Sequence, residues 1–164
     1  MAATGQRLGH TVPTQRDSQL CLLLLLGLLG TVIAVHAPPP GLNWAQWFEV
    51  QHMNMTNNIC TIAMRVINRL NYVHFQKPCK RQNTFLNTTS LAAVTNLCNT
   101  PNITCRNGID TNCHRSSAAV NLTYCNITGP SLPYMQCQYQ QVFVPRNYTI
   151  ACNRRGVPIH FDGL

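Results

Sequence analysis

Eight cysteines fall within one stretch of the chain, at Cys60, Cys79, Cys98, Cys105, Cys113, Cys125, Cys137 and Cys152. No two of them form a Cys-x-x-Cys pair, and the intervals are long and irregular, which disfavours a zinc site. An even count in a small domain reads instead as four disulfides, and these need an oxidising compartment. Eight cysteines can pair in on the order of 100 ways, so the residues alone leave the connectivity open. Each bridge stabilises such a domain by roughly 2–5 kcal/mol, which offsets the small core of a short chain.

The apolar run from Leu20 to Val35, LCLLLLLGLLGTVIAV, agrees with that compartment. It is too short and too near the N-terminus for a comfortable membrane span. Small residues follow it, so residues 1–37 are expected to be a leader and secretory signal peptide. Val35-His36-Ala37 suits cleavage after Ala37, but Pro38 would follow the cut, so cleavage after Ala34 is the alternative. Met1 to Gln19 form an unusually long polar leader, as an upstream start site would give. An uncleaved signal anchor is the competing reading. Cys21 leaves with the leader, and residues 38–164 are expected to form one secreted domain.

Charge narrows the partners. The whole chain has 12 Lys+Arg against 4 Asp+Glu. Loss of Arg7, Arg16 and Asp17 with the leader leaves ten basic and three acidic residues, a net +7. Such a surplus favours polyanions: RNA, anionic glycans or microbial surfaces. Six N-x-S/T sequons, at Asn54, Asn87, Asn102, Asn121, Asn126 and Asn147, are candidate glycosylation sites on surface loops or strand edges.

Helical patterns come first along the domain. Asn43 reads as an N-cap before a helix from Trp44 to His52, with Trp44, Phe48 and His52 on one face. A second helix is expected over 61–70 with a stripe of Ile62, Val66 and Leu70, and a third over 90–97 with Leu91 and Val94 buried. From Ile103 onward the pattern changes to short strands: 120–124, 138–144, 148–151 and 157–161. Asn107-Gly108 and Thr128-Gly129-Pro130 mark turns. Helices followed by antiparallel strands give an α+β fold.

Two histidines and a lysine carry the chemical possibility. Cleavage of RNA without a metal needs a base for the 2′-OH proton, an acid for the departing 5′-oxygen, and a cation at the phosphoryl oxygens. Imidazoles serve the proton transfers near neutral pH, and a lysine supplies fixed charge where negative charge accumulates. Lys77 and Lys80 are the only lysines. There is no carboxylate pair for glycoside hydrolysis, no Gly-rich phosphate loop and no His-Glu-x-x-His motif.

Gln51-His52, Cys79-Lys80-Arg81-Gln82-Asn83-Thr84-Phe85 and Val157-Pro158-Ile159-His160-Phe161-Asp162, in this order among eight cysteines, resemble the pancreatic-type secreted ribonuclease superfamily. Local matches at Ala45-Gln46-Trp47-Phe48, Cys60-Thr61-Ile62-Ala63-Met64-Arg65 and Gln82-Asn83-Thr84-Phe85-Leu86 are most similar to the eosinophil ribonucleases. The resemblance spans Trp44 to Leu164. It implies three helices packed on a bent antiparallel sheet. It also implies the pairing Cys60–Cys125, Cys79–Cys137, Cys98–Cys152 and Cys105–Cys113. His52 becomes the general base, His160 the general acid and Lys80 the transition-state cation. Gln51 becomes a phosphate contact, and Asn83, in the signature with Lys80 and Thr84, a substrate-binding residue. Thr84 reads a pyrimidine edge, Phe161 packs beside the pyrimidine, Asp162 orients His160, and Asn112 contacts the second base.

The resemblance further implies a pyrimidine-preferring endoribonuclease that needs no cofactor or metal. It would be a monomer, secreted or stored in leukocyte granules, serving host defence, and open to a cytosolic ribonuclease inhibitor. The rival class is a non-enzymatic cationic antimicrobial or receptor-binding protein with a weakened nuclease site. Its basis is a departure from the family: about five extra residues within Leu70 to Pro78, just ahead of Lys80. One extra residue also lies between Cys79 and Cys98, and the stretch from Cys152 to His160 is short. Plainer readings stand beside these. Asn83 and Thr84 could be turn residues, Phe85 core, His74 and His114 structural or exposed, and Arg81, Arg106, Arg115, Arg154 and Arg155 solvated surface.

Overall fold

A computed structural model describes residues 37–164. The expected signal peptide, including Cys21, falls on residues 1–36, outside the described residues. Within Pro38–Leu164, one compact unit, no described helix is long and apolar enough to cross a membrane.

Helix α1 (Trp44–Phe48) begins at a capping box. The Asn43 side chain accepts from Gln46 N at 2.9 Å, and Gln46 Oε1 accepts from Asn43 N at 2.9 Å. The next turn, Glu49–Met53, is π-helical, with Asn54 N bonded to Glu49 O at 2.8 Å. Phe48 and His52 are buried as expected, whereas Trp44 is 44 % exposed and Trp47 is 6 % exposed. The expected single face fails because α1 lies across two apolar clusters. Trp47 enters the one holding Met64, Ile67 and Phe85, and Phe48 enters the one holding Leu86, Leu122 and Ile150.

Helix α2 (Cys60–Phe75) is longer than expected and rotated from its expected stripe. Cys60, Ala63, Met64, Ile67 and Asn68 are buried, at the spacing of a core-facing stripe, while Ile62 and Val66 are exposed. The Cys60–Cys125 bridge fixes the rotation, since it ties the first residue of α2 to the central strand of the first sheet. The extra residues ahead of Lys80 continue this helix. It ends at Gln76, which takes the left-handed conformation (φ 53°), with Gln76 N bonded to Tyr72 O at 2.8 Å and Lys77 N to Asn71 O at 3.3 Å. The Tyr72 ring stacks on Tyr134 at 4.5 Å, in the 3-10 turn Tyr134–Gln136, and anchors the extension. Helix α3 (Leu91–Leu97) starts at Ser90, whose hydroxyl accepts from Ala93 N at 3.1 Å; Val94 is buried but Leu91 is exposed.

Six strands complete the fold, with β1 (Gln82–Phe85) between α2 and α3 in the chain and the rest after α3: β2 (Cys113–Arg115), β3 (Val120–Ile127), β4 (Tyr139–Arg146), β5 (Thr149–Cys152) and β6 (Pro158–Gly163). They form two three-stranded antiparallel sheets, β1-β3-β4 and β2-β5-β6, linked where β4 runs into β5. β1 and β2 carry no clear period in the sequence. Asn83 and Thr84 are therefore strand residues, paired with Cys125 and Tyr124, and not turn residues. Phe85 is core, at 1 % exposure. In the second sheet Cys113, Ala151 and His160 lie in one row across the strands.

Four disulfides close the fold: Cys60–Cys125, Cys79–Cys137, Cys98–Cys152 and Cys105–Cys113. The first two lie in the cluster under α2, the third ties the end of α3 to β5, and the fourth closes a short loop ahead of β2.

Candidate active site

The site gathers around the π-turn because three segments converge on it. His52 lies on that turn, buried, with its Nδ1 2.8 Å from the carbonyl oxygen of Thr84 on β1. A carbonyl only accepts, so Nδ1 holds the proton and the neutral ring presents Nε2 as its basic nitrogen. The ring stacks on Phe161 of β6 at 5.0 Å and lies 5.3 Å from Phe48. The backbone is fixed as well, since Leu86 N donates to His52 O at 2.7 Å. Burial, followed by the positive charge of Lys80, pulls the His52 pKa well below its ordinary 6.5. The Thr84 hydrogen bond opposes the shift, and His160 adds a smaller push in the same direction. A ring in this setting is neutral at neutral pH.

Lys80 is held at both ends. Its Nζ donates to Gln51 Oε1 at 2.7 Å and to Asn83 Oδ1 at 2.9 Å. Asn83, 3 % exposed, is itself fixed by Nδ2 donating to Gln51 O at 2.7 Å. The Lys80 backbone is clamped by two buried residues that sequence reasoning did not single out. Its N–H donates to Asn68 Oδ1 at 3.0 Å, and its carbonyl accepts from the Tyr139 hydroxyl at 2.5 Å. Asn68 Nδ2 closes the ring by donating to the Tyr139 oxygen at 3.0 Å. The one available signal was an asparagine on the inward stripe of α2, where an amide costs free energy unless bonded. Burial lowers the Lys80 pKa to about 8. The ammonium is still charged at neutral pH, in a setting where charge interacts strongly.

His160 is exposed on β6, next in sequence to the Phe161 ring that covers His52. Its charge adds a small downward push on the His52 pKa. Asp162 Oδ2 accepts from Arg106 N at 2.8 Å and lies beside the Cys105–Cys113 bridge. Those three side chains are the described grouping closest to a metal-ligand set, but disulfide sulfurs lack the thiolate charge that binds metal.

Asn112 is placed apart from the His52–Lys80 pair. It is tied to β5 by Nδ2 donating to Cys152 O at 2.8 Å and by Cys152 N donating to Asn112 O at 3.0 Å. It lines an open, polar cavity of ≈ 890 Å³ together with His114, Asp110 and Arg154; His52, Lys80 and His160 do not line it. The adjacent Cys113 lies two strands from His160 in the same row, about 10 Å at the usual strand spacing. Of the other histidines, His114 is buried with Nδ1 2.9 Å from Thr100 O, a structural role, and His74 is exposed near the end of α2.

A buried neutral imidazole, a second imidazole and a braced ammonium, on a four-disulfide α+β frame, are groups able to move protons and to oppose negative charge. The chain matches the pancreatic ribonuclease family over residues 43–162 and belongs to it. Among solved structures it is similar to the X-ray structure of SS-RNase-2 des116-120, at 23 % identity and a TM-score of 0.56. The match covers 74 % of this chain and 98 % of that one, and at such identity it speaks to the fold. Family membership supports ribonuclease activity in general, with RNA as substrate.

Proposed function

We propose that the protein is a secreted, pyrimidine-preferring endoribonuclease acting by transphosphorylation. His52 Nε2 takes the proton of the 2′-OH, and the 2′-oxygen attacks phosphorus. The bond from phosphorus to the 5′-oxygen breaks, and His160 delivers a proton to that oxygen. A 2′,3′-cyclic phosphate remains, and water opens it in a slower second step with the two histidines exchanging roles. Lys80 opposes the charge that builds on the phosphoryl oxygens, and Gln51 contacts the phosphate. Thr84 reads the pyrimidine edge, Phe161 packs beside that base, Asp162 orients His160, and Asn112 takes the second base. No metal is required in this scheme. The eosinophil-like motifs favour a host-defence setting.

The observation that carries the reading is the position of Lys80. The extra residues before it were the main ground for a weakened site, and α2 absorbs them. Lys80 Nζ keeps both Gln51 and Asn83 within hydrogen-bond reach. This placement favours the nuclease reading over the rival, a cationic binding protein with a relic site.

A panel of dinucleotides tests the specificity. Cytidine or uridine on the 5′ side should be cleaved at least about tenfold faster than adenosine, a difference of ~1.4 kcal/mol in the barrier. Thr84→Ala should erode that preference. Equal rates for all four bases would refute the pyrimidine site.

A further inference from the structure

The cavity beside Asn112 has a carbohydrate attachment signal on its wall. Asn102-Ile103-Thr104 is a sequon, and Asn102 is exposed and lines the cavity with Asn112, Arg154 and Arg155. Asn99 and Asn153 also line it, but neither begins a sequon. The backbone at Asn102 is not a loose loop. Ile103 forms an antiparallel bridge with Cys113, with Ile103 N bonded to Cys113 O at 2.7 Å and Cys113 N to Ile103 O at 3.2 Å. Cys113 is pinned in turn by its disulfide to Cys105 and its pairing with Ala151. The bridge at the next residue limits how far backbone motion can carry a sugar rooted at Asn102 away from Asn112. Asn54, Asn87 and Asn121 are also exposed sequon residues, but they do not line this cavity. Asn147 donates its side-chain amide to Ser116 O at 2.7 Å and is half-buried.

We propose that an N-linked glycan on Asn102 is a steric gate on this cavity. It limits how the nucleotide on the 3′ side of the scissile phosphate reaches Asn112, and leaves the chemistry at His52, Lys80 and His160 untouched. The inference rests on the ribonuclease reading above. The glycan is bulky and hydrophilic, and it occupies the open side of a polar groove that a base and a phosphate would otherwise fill. Its removal exposes Asn112 together with two arginines able to hold phosphate.

The test uses full-length protein secreted from cells that attach N-glycans, with glycopeptide mapping of Asn102. Asn102→Gln and Thr104→Ala each delete the sequon by a different side chain, so a folding defect in one leaves the other. Two substrates divide the outcomes. A cyclic pyrimidine nucleotide occupies only the catalytic centre, whereas a pyrimidine–adenosine dinucleotide also needs the cavity. Both variants should lower KM for the dinucleotide by about tenfold, ~1.4 kcal/mol of binding, and leave cyclic-nucleotide hydrolysis unchanged. Binding of a non-cleavable deoxy dinucleotide should tighten by the same factor. An unoccupied Asn102, or an unchanged KM with both variants, overturns the gate. Inertness of every form toward both substrates, with tighter deoxy-dinucleotide binding retained, would sink the ribonuclease reading and spare the gate.

Discussion

Lys80→Met should abolish RNA cleavage and at the same time stabilise the fold. Burial holds the Lys80 pKa at about 8 against an ordinary 10.5. Those roughly 2.5 pH units, at about 1.36 kcal/mol each, correspond to a ceiling of ~3.4 kcal/mol spent on keeping a charged ammonium in the folded protein near neutral pH. The sign follows from the direction of the shift. The folded state binds the proton more weakly than the unfolded state, so the penalty is full below about pH 8 and disappears as pH rises toward 10.5. Methionine keeps most of the aliphatic stem and removes the charge. It also leaves Gln51 Oε1 and Asn83 Oδ1 without a donor. Gln51 is half-buried and can take a water, but Asn83 is buried, so about 1–2 kcal/mol is returned. The net gain is on the order of 1–2 kcal/mol, a rise in Tm of roughly 4–8 °C for a domain of this size. Calorimetry at pH 7 and at pH 9.5 measures it, and the gain should shrink at the higher pH. A Tm below wild type at both pH values would refute the argument, because the two hydrogen bonds would then outweigh the burial.

Other consequences follow from the same geometry. Tyr139→Phe removes the hydroxyl that joins Lys80 O to Asn68; it should lower kcat with little change in KM and cost about 1–2 kcal/mol in urea unfolding. The pH–rate profile should be bell-shaped. Its acid limb should lie below 6.5, because the His52 pKa is lowered, and its alkaline limb at or below about 8, where Lys80 begins to lose its charge. Replacing Cys105 and Cys113, separated by 8 residues, should cost about 2–3 kcal/mol, whereas removing Cys60–Cys125, separated by 65, should cost about 4 kcal/mol on the loop-entropy account. Denaturant melts of the two double-alanine variants would rank them.

The sequence and the structure agree where residue chemistry is strict. The Asn43 cap, the Ser90 start of α3 and the later strands could be read because capping and alternation are local. The rotation of α2 could not, because Ile62 and Val66 look like a core stripe until the Cys60–Cys125 bridge turns that face to solvent. The π-turn at Glu49–Met53 has no periodic signal either, and β1 is too short to show alternation. Gln51, His52, Lys80 and Asn83 were singled out through the family resemblance of their motifs, and the structure brings them together. Asn68 and Tyr139 were missed because their role depends on contacts with residues distant in sequence. The effect of the residues before Lys80 was also beyond the sequence, since a helix extension and a displaced loop have the same length.

Phosphorus NMR of a single dinucleotide, cytidylyl-adenosine, in the presence of a chelator tests the central claim most directly. The wild-type protein should convert the diester to a 2′,3′-cyclic phosphate that accumulates before the 3′-monophosphate appears. His52→Ala and His160→Ala should each slow the first step by at least about 1,000-fold, more than 4 kcal/mol of barrier, while circular dichroism and the four disulfides stay as in wild type. A wild-type protein that is inert in chelator, or a His52→Ala, His160→Ala double variant that still cleaves at the wild-type rate, would contradict the two-histidine account.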